Sequence, residues 1–130
     1  MADTKKKMIQ AKELRYGNYV TKDGETFKIN NIYGSSGLLD IVNNNNSCNR
    51  VSIVLGKIQG IPLTEEILLK CGFENDYTQQ SWHHRTFIIN DFQIEEIENK
   101  YFYNRLNIAS LHQLQNLYFA LTVQELTINF

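Results

Sequence analysis

The run Trp82-His83-His84-Arg85 concentrates more chemically capable side chains than any other part of the chain. An indole, two imidazoles and a guanidinium together can stack on a flat ring and hold a phosphate or another anion. Arg15-Tyr16, followed by Asn18-Tyr19, is a second aromatic and basic patch. Arg15, Tyr16, Trp82, His84 and Arg85 are therefore the expected contacts for a ligand or partner. Each patch also has a structural reading. Trp82 can pack at the start of a strand with the polar tips exposed, and Gly17 can open a turn around Arg15 and Tyr16. A strand would point residues 82 and 85 to opposite faces, so a joint site requires the strand to begin after about His83.

Catalytic patterns are missing from the sequence. It holds no Gly-rich phosphate loop ending in Lys-Ser/Thr, no nucleophile elbow and no His-Glu-x-x-His. His83 and His84 are adjacent and would diverge on a strand, which prevents their chelating one metal. His112 reads as a surface or capping residue near a helix start. Glu95, Glu96 and Glu98 could supply paired carboxylates for acid–base chemistry, but Glu95 and Glu96 alternate across a strand. The run reads as a solvated edge. Cys48 and Cys71 form neither a metal-ligand spacing nor a disulfide framework, and Cys71 reads as a small buried residue. No enzyme, cofactor or metal is expected.

The positioning framework comes from 130 residues, 42% hydrophobic and 21% charged, a globular composition. The expected organisation is a disordered basic tail over 1–9, carrying Lys5, Lys6 and Lys7, and one compact α+β domain over 10–130. The net charge of -1 argues against duplex DNA, whose binders need a positive excess. Charge is uneven: residues 1–73 carry 10 basic and 7 acidic side chains, and 74–130 carry 3 and 7. Such a dipolar surface orients a partner or a second copy, and a homo-oligomer is expected. No apolar run reaches the roughly 20 residues of a membrane span, and no signal peptide is read, so the expected compartment is the cytoplasm.

The first half reads as short strands forming a small antiparallel barrel or curled sheet. Asn18–Lys22 and Glu25–Ile29 flank Asp23-Gly24, a two-residue hairpin signal. That register sets Val20 opposite Phe27 and pairs Lys22 with Glu25. Further strands are expected at Leu38–Val42 and Val51–Leu55, with loops at Gly34–Gly37 and Asn43–Ser47. A short helix follows over Thr64–Cys71. Thr64 caps it, Glu65 and Glu66 occupy its first turn, and Leu63 with Leu68 forms a hydrophobic staple. Gly72 ends it, with Phe73 folding back on Leu68.

A polar loop is expected over Glu74–Ser81. A three-strand meander then runs through Thr86–Ile89, Phe92–Ile97 and Tyr101–Leu106, with turns at Asn90-Asp91 and Asn99-Lys100. Ser110 and Gln113 form a capping box opening a terminal helix from Leu111. Its apolar stripe of Leu111, Leu114, Leu117, Tyr118 and Leu121 predicts burial of Leu114, Leu117 and Leu121. Thr122 with Glu125 repeats the capping pattern and predicts a short second helix.

Three stretches together resemble a family of small proteins encoded by Bacteroidota genomes, especially their prophages and phages. They are Lys12-Glu13-Leu14-Arg15-Tyr16-Gly17-Asn18-Tyr19-Val20, Ile61-Pro62-Leu63-Thr64-Glu65-Glu66 with Gly72-Phe73, and Leu111-His112-Gln113-Leu114-Gln115-Asn116-Leu117-Tyr118-Phe119-Ala120-Leu121-Thr122. After that last stretch the family continues with a glycine and two acids, where this chain has Val123-Gln124-Glu125. The resemblance implies a shared fold and a mobile-element setting, with no site residues carried over. The resulting expectation is a non-enzymatic accessory binding protein that sequesters a small anionic or nucleotide-like immune signal as counter-defence. The alternatives are a protein–protein module that masks a host protein, and a barrel that binds single-stranded nucleic acid.

Overall fold

The computed structural model describes residues 9, 13–33, 38–43, 50–54, 57–76 and 84–130. The chain divides into two compact units, Met1–Ile61 and Pro62–Phe130. The expected loop at Gly34–Gly37, the expected loop at Asn43–Ser47 beyond Asn43 (which ends a strand instead), and Cys48, Trp82 and His83 lie outside the described residues. So do residues 1–8 of the expected tail, whereas Ile9 is buried in the first unit.

In the first unit, Asp23 and Gly24 both take positive φ (53° and 82°), the conformation of a type I′ turn. They join β1 (Tyr19–Lys22) to β2 (Glu25–Tyr33) in the expected register, Val20 opposite Phe27 and Lys22 opposite Glu25. The Lys22 ammonium turns instead to Asp23, at 3.4 Å. Then come β3 (Leu38–Asn43), β4 (Arg50–Val54) and β5 (Gln59–Gly60). The sheet order is β4-β3-β2-β1-β5, so β4 and β5 form its two edges; among the described residues this is an open sheet and not a closed barrel. A register shift between Ile29 and Asn31 bulges β2. Val20, Phe27, Ile29, Leu39 and Ile41 face a common core with Ile9, Leu14 and Ile58.

The second unit opens with α1 (Glu65–Lys70). Thr64 Oγ1 accepts from the Ile67 amide at 3.2 Å, as an N-cap must. Gly72, at φ 96°, donates its N–H to the Leu69 carbonyl, and the Phe73 N–H bonds the Leu68 carbonyl, completing a Schellman motif. A second antiparallel sheet follows in the order β10-β9-β8-β7-β6. Its strands are β6 (Glu74–Asn75), β7 (His84–Ile89), β8 (Phe92–Ile97), β9 (Lys100–Tyr103) and β10 (Leu106–Ile108). The expected meander is thus present and wider than predicted. Glu74-Asn75 pairs with β7 rather than joining a loop. The expected strand Tyr101–Leu106 splits at Asn104-Arg105, where both residues take positive φ. The second tight turn is Glu98-Asn99, one residue earlier than predicted, again with positive φ at both positions. Glu96 lies on β8, the central strand, so the acidic run does not form a sheet edge.

The terminal helix, α2 (Leu111–Thr122), has the predicted Gln113 contact, with its Oε1 accepting from the Ser110 amide at 3.3 Å. The buried face differs from the leucine stripe. Leu111, His112, Leu114, Gln115 and Tyr118 are inside, Leu117 is half-buried and Leu121 is 52% exposed. His112 is therefore a core residue and not a surface one, with its Nδ1 3.1 Å from Ser110 Oγ. That local contact offsets part of the cost of burying the ring. No second helix follows Thr122. Its hydroxyl instead donates to the Tyr118 carbonyl at 2.7 Å, and Val123 turns left-handed at φ 60°. The chain beyond buries Leu126 and Ile128, and the Asn129 amide bonds the Lys70 carbonyl at the end of α1.

Candidate functional site

Arg15 and Tyr16 belong to the first unit, His84 and Arg85 to the second. Arg15 to Asn18 is a tight turn. The Asn18 amide bonds the Arg15 carbonyl at 3.1 Å, Asn18 Oδ1 accepts from the Arg15 amide at 2.7 Å, and Gly17 supplies φ 89° at the third position. Tyr16 is 62% exposed on this turn. The turn is sewn to β2 through the Gly17 amide and the Ile29 carbonyl at 2.9 Å.

β7 begins at His84. The two-residue turn at Asn90-Asp91 sets the β7–β8 register and so places Arg85 opposite Glu96. Arg85 Nε donates to Glu96 Oε1 at 2.7 Å, Nη2 reaches the same oxygen, and Nη1 donates to Glu65 of α1 at 2.9 Å. The guanidinium also lies 5.3 Å from the centre of the Phe87 ring. Burial alone would lower the Arg85 pKa, but the two carboxylates outweigh it and the net shift is upward, so the group stays charged. Arg85 thus ties the sheet to α1. Removing one member of a buried pair costs roughly 3–5 kcal/mol, reduced here by partial exposure of Arg85 and Glu65. Tyr101, opposite Glu96, has its pKa raised by burial first and by the Glu96 charge second. His84 Nε2 lies 3.0 Å from Glu95 Oε2, with both side chains about two-fifths exposed, a pairing of small energetic weight. Among the described residues no group of three His, Cys, Asp or Glu side chains is placed to hold a metal.

Two clefts in the second unit present chemistry that the residue patterns did not single out. The first, of about 510 Å³, opens at the Glu98-Asn99 end of the meander. The Leu63 amide bonds the Ala109 carbonyl at 3.3 Å and Pro62 pairs with Ser110, so the chain before α1 runs beside the exit of β10. Pro62, Phe102 and Ala109 give the cleft an apolar lining, while Lys100, Asn99 and Asn107 supply one ammonium and two carboxamides. Asn107 is held in place by donating to the Tyr101 carbonyl at 3.2 Å. No carboxylate belongs to the described residues lining this cleft.

The second cleft, of about 520 Å³, lies at the opposite end of the sheet, between the Asn90-Asp91 turn and the end of α2. Phe92 and Tyr103 stack there at 4.7 Å and 15°, and Tyr118 meets Phe92 edge-on at 5.1 Å. Asn90 Nδ2 donates to Tyr118 Oη at 3.3 Å, linking turn to helix. The available sequence signal for both clefts was the chain of two-residue turns. Such turns send alternate loops to opposite ends of a sheet, and so gather Asn90, Asp91 and Tyr103 at one end and Asn99 and Lys100 at the other. No helix among the described residues is long and apolar enough to cross a membrane. In comparison with known proteins, the chain matches no family model, no curated protein and no solved structure.

Proposed function

We propose that the protein is a non-enzymatic binding protein whose ligand is a small molecule with a flat or apolar body and an anionic group, of nucleotide-like type, held in the cleft around Lys100. The observation that carries this reading is the lining itself. An apolar wall of Pro62, Phe102 and Ala109 meets the Lys100 ammonium and the Asn99 and Asn107 carboxamides, with no acid among the described lining residues to repel an anion. Apolar enclosure with a few placed polar groups is the general pattern of small-molecule sites. In the phage setting that the resemblance implies, retention of such a molecule is sequestration of an immune signal.

The test has two steps. Purified protein is incubated with a nucleotide extract, washed and denatured, and the released molecules are identified by mass spectrometry. The ligand is then titrated calorimetrically into the parent and Lys100→Ala. Loss of one charge-assisted contact is expected to weaken binding about 10- to 100-fold. A protein that releases nothing, or a Lys100→Ala variant that binds like the parent, overturns the proposal.

A second reading, a protein–protein or assembly module acting on a host protein or on its own copies, draws on the apolar residues at the end of α2. Leu121 is 52% and Val123 77% exposed. A concentration series by analytical ultracentrifugation tests the self-association form, and a monomer at all concentrations removes it.

A further inference from the structure

The aromatic cleft at the Asn90-Asp91 end is opposite in charge to the cleft around Lys100. Asp91 is exposed and contributes a carboxylate to its lining, and none of the described lining residues is Lys, Arg or His. Tyr103 is covered on one ring face by Phe92, yet it is only half-buried and lines the cleft. Asn90 has its amide N–H directed to Tyr118 Oη, so its own amide oxygen remains as an acceptor type at the rim beside Asp91. On the helix side the cleft is closed by Thr122 and Gln124. Between them sits Val123, a β-branched residue at φ 60° and 77% exposed. Strained backbone of this kind is retained at ligand clamps more often than elsewhere.

From this arrangement we propose that the cleft is a second binding site, and that it takes a guanidinium group. The choice follows from the shape and charge of the lining. A planar cation lies flat on an aromatic ring, where the negative ring face attracts it. A guanidinium also presents a fork of in-plane donors, which match the Asp91 carboxylate in a two-point contact and leave further donors for neutral oxygens such as those of Asn90 and Gln124. An ammonium satisfies the charge but not the plane. A neutral ring satisfies the plane but makes no use of Asp91. The site is independent of the proposal for the Lys100 cleft.

The experiment compares N-acetyl-arginine amide with N-acetyl-citrulline amide, which has nearly the same shape and no charge. Each is titrated into the isotope-labelled full chain and followed by amide chemical shifts. Saturable shifts are expected at Asn90, Asp91, Tyr103 and Leu121 to Gln124, with the arginine compound binding at least about fivefold more tightly. Added salt is expected to weaken it, since the site is open to solvent. Asp91→Asn keeps a turn-forming residue and should reduce arginine binding to the citrulline level. An acetyl-Gly-Arg-Gly amide distinguishes the source. Tighter binding of the peptide assigns the site to an arginine of a protein partner, and equal binding to a free guanidinium compound. Equal affinity for arginine and citrulline compounds, shifts that lie elsewhere, or an Asp91→Asn variant unchanged in affinity would each overturn the proposal.

Discussion

Val123→Gly is expected to stabilise the protein. Val123 ends α2 at φ 60° and ψ 21°, with its N–H on the Phe119 carbonyl at 2.8 Å. The left-handed conformation costs an L-residue roughly 1–2 kcal/mol, and a β-branched one lies toward the upper end. Glycine removes that cost but adds about 0.5–1 kcal/mol of unfolded-state entropy. The side chain is 77% exposed, so the burial lost on its removal is about 0.5 kcal/mol. The net gain is about 0.5–1 kcal/mol, or a rise of about 2–4 °C in Tm. Differential scanning calorimetry with far-UV circular dichroism measures it. Gly72→Ala is the matched control, at the C-terminal end of α1. Gly72 sits at φ 96° and an added Cβ would lie 3.3 Å from Ile89 Cδ1, so this change should cost about 1–2 kcal/mol. Chain entropy alone predicts the reverse sign at both positions. If Val123→Gly lowers the Tm or leaves it unchanged, the strain argument fails.

Two further outcomes can be measured. In urea denaturation Leu114→Ala should cost about 2–5 kcal/mol, because Leu114 is fully buried, whereas Leu121→Ala should stay within about 0.5 kcal/mol. Burial raises the Cys71 thiol to about 12. The folded chain therefore holds this proton where the unfolded chain releases it, and the associated stability is present below pH 9 and lost as the pH rises toward 12. In a Cys48→Ser background, Cys71 should resist iodoacetamide at pH 8 in the native protein and react once urea unfolds it.

Local chemistry was the most legible part of the chain. Asp23-Gly24 announced a hairpin and its register, because positive φ at two successive residues narrows the turn to one type. Thr64, Gly72 and Phe73 announced both ends of α1, because capping groups act within a few residues of the atoms they satisfy. The aromatic and β-branched stretches from Thr86 onward announced strands, although turn positions slipped by a residue and Arg105 closed a turn in place of extending a strand.

Whatever depended on partners distant in the chain was decided by tertiary structure. Arg85 read as a free cation, but its fork lies between Glu96 on the neighbouring strand and Glu65 on α1, and nothing near residue 85 encodes the second of these. Leu121 read as core and is exposed, while His112 read as a surface or capping residue and is buried. A helical stripe reports hydrophobicity alone, whereas the face that is covered depends on what packs against the helix from elsewhere in the chain, as Phe92 of β8 does against Tyr118. The two clefts belong to the same class. Their residues are ordinary in sequence, and gain opposite charge character only because two-residue turns carry Lys100 to one end of a sheet and Asp91 to the other.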